Sequence, residues 1–108
     1  MPKYAVLFNF RGRTLKAMMD KPSDRAAVVR ELVESAGGTM EAYYLMFGEY
    51  DGLVIYDLRD SASAAAVSLR VRSSDAFSHF ETHEILPADQ INPILEKASE
   101  LRYRPPGT

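Results

Sequence analysis

The chain contains no cysteine and no tryptophan. Without cysteine there is no disulfide framework, no thiolate zinc site and no thiol nucleophile, and nothing is implied about a redox compartment. Long apolar runs are missing as well. None approaches the ~18 residues of a membrane-spanning helix, and the opening MPKYAVLFNFRGR has no basic leader ahead of a long apolar core. The expectation is a cytoplasmic protein with no membrane partner. Excess positive charge is also lacking: 13 Lys and Arg against 15 Asp and Glu give a formal net charge of −2. No broad electropositive surface is available for a phosphate backbone, so nucleic acid is not an expected partner.

What is present is an ordinary globular mixture, 46% hydrophobic and 26% charged over 108 residues. That length suits one domain over residues 1–108, able to bury roughly 65% of its unfolded surface without covalent staples. KYAVLFNF at 3–10 is a β-branched and aromatic run that ends at Arg11 and Gly12, a first strand. RGRTLKAMMDK at 11–21 lacks a strong cap and reads as a loop. From Pro22 to Ala36, Ser23 or Asp24 can cap a helix with Ala26, Val29, Leu32, Val33 and Ala36 on one face, stopped by Gly37 and Gly38.

TMEAYYLMF at 39–47 and LVIYDL at 53–58 flank the turn residues GEYDG, two antiparallel strands joined by a hairpin. Asp60 and Ser61 open an alanine-rich helix to about Arg72, with Ala62, Ala65, Ala66 and Leu69 on one face and Val67 and Val71 beside it. AFSHFETHEIL at 76–86 alternates as a fourth strand. Pro87 starts a last helical stretch carrying Ile91, Ile94, Leu95, Ala98 and Leu101. Pro93 there either kinks one helix or marks the first turn of a second, capped by Asn92. Strand, helix, strand therefore occurs twice, which predicts an α+β ferredoxin-like βαββαβ sandwich with a four-stranded antiparallel sheet and a C-terminal helix.

Strand parity carries a second expectation. Tyr4, Val6, Phe8 and Phe10 oppose Ala5 and Leu7; Met40, Tyr44 and Met46 oppose Tyr43, Leu45 and Phe47; Leu53 and Ile55 oppose Val54, Tyr56 and Leu58. Neither parity is polar, whereas two helices cover only one face of a sheet. A homodimer or higher homo-oligomer through the other face is expected in preference to a C-terminal helix folded beneath it.

FGEYDGLVIYDLRD at 47–60, with Gly48, Tyr50 and Asp51, resembles the signature of the GYD domain family of small bacterial proteins. KYAVLFNF at the start, ESAGG after the first helix and YRPPG at 103–107 are similar to it too. The resemblance implies a ferredoxin-like fold of the dimeric α/β-barrel type. It implies no activity and no catalytic residue, and Pro93 and the two histidines of the fourth strand lie outside its pattern.

The residues themselves suggest few sites. In GEYDG, Tyr50 and Asp51 can bind a polar ligand or relay a proton, while Asp and Gly are also favoured turn residues. His79, Glu81 and His83 project from one face of a strand, with about 13 Å between the outer Cα atoms, a spacing that opposes convergence on one metal ion. The expectation is no metal site and no cofactor. Arg25, Arg30, Glu31 and Glu34 read as a solvated helix face. Tyrosines and phenylalanines first serve core and interface, though a cavity lined by them suits a mostly apolar ligand. The expected ligand-binding residues are Tyr44, Tyr50, Asp51, Tyr56 and His79, in a homo-oligomeric domain that binds a small organic ligand or another protein surface. The alternative is a cofactor-free dimeric α/β-barrel enzyme acting on an aromatic or polyketide-like molecule. An enzyme should show a cavity where Tyr, His and Asp converge, and a ligand binder a cavity without that convergence.

Overall fold

A computed structural model describes residues 1–108. The chain runs β1 (Lys3–Phe10), α1 (Gly12–Asp20), α2 (Arg25–Ser35), β2 (Thr39–Leu45), β3 (Gly52–Asp57), α3 (Ser61–Arg72) and β4 (Phe77–Ile85). A 3₁₀ turn (Ala88–Gln90) then leads into α4 (Ile91–Ser99). The strands form one sheet in the order β2-β3-β1-β4, with every neighbouring pair antiparallel. This is the expected ferredoxin-like α+β arrangement.

The caps explain two helix starts. The Asp24 carboxylate accepts from the Ala27 amide and the Asp60 carboxylate from the Ser63 amide, each satisfying a donor that the first helical turn leaves free. The expected loop at 11–21 is corrected to α1. It starts without a side-chain cap because tertiary bonds replace one: Arg11 N–H and the Thr14 hydroxyl both donate to Ala76 O, at 3.0 and 2.7 Å. Asp75, at φ 58°, holds Arg11 at 2.9 Å, and Arg13 is paired with it as well.

The core lies on the helix side of the sheet. Tyr4, Val6, Phe8 and Phe10 of β1 meet Val54 and Tyr56 of β3 there, beneath Val33 of α2 and Ala64 and Val67 of α3. Phe8 is the hub of an aromatic cluster, with Phe10, Phe77, Phe80 and Tyr43 all within 6.4 Å centroid to centroid. On α3 the expected apolar face is corrected: Leu69 is exposed and Ala64, Val67 and Val71 turn inward. So many alanines leave the helical period without a clear direction, and the larger valines decide the side that packs. In β2 a register shift between Met40 and Ala42 breaks simple alternation, so Met40 and Tyr43 both face the core although their numbers differ in parity. Tyr44 is left facing outward, 60% exposed.

The C-terminal segment stands apart. Every residue from Leu86 to Thr108 is exposed and α4 buries none. The Cα radius of gyration is 17.3 Å and the longest dimension 56 Å, whereas a compact chain of this length has a radius of about 13 Å. Pro93 occupies the third position of α4, where a missing N–H costs nothing, and Gln90 rather than Asn92 precedes the helix, without a side-chain cap. The helix does not fold beneath the sheet.

Candidate functional site

The GEYDG loop is tied to the end of β1, and Asp51 is the clasp. Its carboxylate accepts from the Phe10 amide at 2.9 Å, and its own amide donates to Phe8 O at 2.9 Å and to the Asn9 side-chain oxygen at 2.8 Å. Asn9 Nδ2 returns a bond to Glu49 O at 3.0 Å. β3 begins at Gly52, so Phe10 has no partner there, and β1 is irregular toward β4 between Asn9 and Phe10. Asp51 therefore supplies an acceptor that the sheet does not. Gly52 has its own steric reason: a Cβ there would lie 2.1 Å from Phe8 Cζ. Gly48 takes φ +144°.

Tyr50 faces the open side of the sheet, its ring 6.0 Å from that of His79. Glu81 sits between the two histidines and receives both, His79 Nε2 at 3.0 Å and His83 Nε2 at 2.7 Å. The outer rings thus turn inward along the strand and span the spacing that was expected to keep them apart, with a carboxylate at the meeting point. The adjacent Tyr50 hydroxyl, then His83 and His79, hold Glu81 down to about 2, and the same contact pushes Tyr50 up to about 12. Both imidazoles are half exposed, at 52% and 54%, and His79 also borders an open cleft with Arg11, Arg72 and Asp75.

On the opposite side of the sheet, an apolar cavity of about 70 Å³ lies between the strands and α2 and α3. Phe8 and Tyr56 line it from the sheet, Val29 from α2, Val67 from α3, and Phe77 and Phe80 from β4. Arg25 is the one lining residue that is not hydrophobic. Burial pushes the Tyr56 hydroxyl up to about 12, against a small opposing pull from the Thr82 hydroxyl beside it, and pushes that of Tyr4 upward as well.

The five residues expected to bind ligand therefore do not share one site. Tyr50 and His79 meet at Glu81, Tyr44 stands on the open face opposite Leu53, Asp51 secures a turn, and Tyr56 lines the cavity on the other side. Arg25 was expected on a solvated face and is instead half-buried at the cavity, beside the Tyr43 hydroxyl. Its position as the first residue of α2 gives no sign of this, because the partners that enclose it come from β2 and β4.

The model of the GYD domain family matches residues 4–95. No curated protein matches. Among solved structures, the chain is similar to TTHA0845 from Thermus thermophilus, with a TM-score of 0.55 and 20% identity over 82% of this chain and 96% of that one. It is also similar to an uncharacterized NIPSNAP domain protein from Burkholderia xenovorans, with a TM-score of 0.46 and 14% identity over 82% and 95%. A third is MupZ from Pseudomonas fluorescens, with a TM-score of 0.43 and 14% identity over 99% and 97%. At these identities the first likeness concerns the fold.

Proposed function

The chain belongs to the GYD domain family, and from that premise we propose that it is a small-ligand-binding domain that works as a homo-oligomer. One observation carries the ligand reading: the cavity between sheet and helices has no His, Asp or Glu in its lining. Its only ionisable groups beside Arg25 are the Tyr43 and Tyr56 hydroxyls, which burial pushes above their ordinary value, so the enclosure selects chiefly for shape and hydrophobicity. The residues suited to proton transfer, Tyr50, His79, Glu81 and His83, lie on the other face of the sheet in the open. The enzyme alternative gains no support from this arrangement.

Self-association rests on the surface that remains. On the open face Ala5, Leu7, Leu53 and Ile55 form a half-buried apolar centre bordered by Tyr44, and a fully exposed Phe47 follows β2. Charges there are paired within the chain, Lys3 with Asp57 at 3.1 Å and with Glu41 at 3.2 Å, so a second copy meets few unmatched ions. α4 presents an apolar stripe of Ile91, Ile94 and Leu95, continued beyond its end by Leu101, with nothing of its own chain upon it. Both surfaces suit a twofold pairing of chains.

Titration of the labelled protein with the neutral probe 1-hexanol tests the cavity. Amide shifts at Val29, Val67 and Phe80 are expected, and shifts elsewhere, or none, refute the reading. Light scattering at low micromolar concentration tests association, with twice the chain mass expected and a stable monomer as the opposing result.

A further inference from the structure

Arg25 and Phe77 line both the cavity and a second, open cleft of about 470 Å³ beside it. That cleft is bounded by α1, the connection before α2 and the turn before β4, and it adds Lys21, Thr14, Ser23 and Ser74. No Asp or Glu lines either space. The ion pairs of the chain engage Lys3, Arg11, Arg13 and the two histidines, so neither Arg25 nor Lys21 is held by a carboxylate. Asp24, the acidic neighbour of Arg25, is occupied with the Ala27 amide. The two spaces together have an apolar inner end and a cationic outer part.

We propose that this composite site takes an amphipathic organic anion, its apolar end in the cavity and its carboxylate or similar group between Arg25 and Lys21. The inference rests on the ligand-binding reading of the cavity and adds the charge class of the ligand. A half-buried guanidinium beside apolar walls is poorly served by water and presents a planar fork of donors that matches a carboxylate. The adjacent Tyr43 hydroxyl supplies another donor. Size sets the apolar end. A cavity of about 70 Å³ is several times the ~10–15 Å³ that one water requires, room for the last few carbons of a chain or the edge of a ring. The remainder of the ligand lies in the wider cleft.

The test compares sodium hexanoate with 1-hexanol on the labelled 108-residue chain. Hexanoate is expected to bind at least tenfold more tightly, shifting Arg25, Phe77 and Phe80. The double substitution Arg25→Gln with Lys21→Gln is expected to remove that preference and leave hexanol binding unchanged. Lys21 is exposed, so Lys21→Gln alone, with about a threefold loss expected for one screened ion contact, reads the charge effect even if the double variant does not fold. Val29→Phe, which fills the cavity, is expected to remove binding of both probes. Equal affinity for the two probes overturns the anion inference and leaves the ligand reading standing, whereas binding of neither overturns both. A preference that survives in the folded double variant, or hexanoate shifts confined to the open sheet face, also overturns the inference.

Discussion

The two faces of this sheet are built from the same strands, alternate residue by alternate residue, yet they are organised differently. The helix side is covered and aromatic, with Val6 and Leu58 at 1% exposure or less and Arg25 the one charged group at its cavity. The open side has an apolar centre between two charged networks, Lys3 with Asp57 and Glu41 at one end and His79, Glu81 and His83 toward the other. Burial on one face is completed by the chain's own helices, and the other is the face that the proposed homo-oligomer would cover. Stability should therefore depend chiefly on the first face and association on the second.

The largest effect expected is from Phe8→Ala, which empties the centre of the aromatic cluster and should cost about 3–5 kcal/mol, measured by denaturant unfolding at a concentration where oligomeric state is constant. A smaller loss, below that of Leu7→Ala on the other face, would break the comparison. Leu53→Asp reads the open face. It should weaken association a hundredfold or more, about 3 kcal/mol for an unpaired charge placed in an interface, while leaving the dilute chain folded. Sedimentation of wild type and variant decides this, and an unchanged association constant would remove that face from the interface.

Asp51→Ala should lower stability by about 1–2 kcal/mol, because the Phe10 amide loses its acceptor. Thermal melting measures it. An unchanged melting point would mean that water replaces the carboxylate and that the GEYDG loop contributes something other than structure. The smallest effect belongs to Glu81. Folding lowers its carboxyl from 4.5 to about 2, so the folded chain releases that proton more readily than the unfolded one. Its contribution is complete above about pH 4.5 and is lost as pH falls toward 2. Glu81→Gln should flatten the melting temperature against pH in that window only, and an unaltered profile would show that the exposed network is fully screened by solvent.

Strands and the two long helices were legible because Asp24 and Asp60 are strong caps and because KYAVLFNF and LVIYDL leave little choice but strand. Asp51 was legible as a turn residue for the same local reason. α1 was not, because the groups that hold its first turn, Ala76 and Asp75, are more than sixty residues away in sequence. The inward side of α3 was hidden by its alanines, and that of β2 by one irregular pairing at Glu41. Of the candidate site, the tyrosines and His79 could be named as chemistry but not sorted into places.

The sequence by itself determined the order of the strands and of the helices α2 and α3, the βαββαβ topology and the surplus of apolar residues on both strand parities, since these follow from periodicity, caps and turn residues acting over a few neighbours. Only the tertiary structure decided that Tyr56 and Arg25 meet around a cavity, that Tyr50 and two histidines converge on Glu81 on the opposite face, and that α4 stands clear of the sheet. Apart from the histidines beside Glu81, those relations join groups far apart in the chain. Their distances depend on strand register and helix packing, which no local pattern encodes.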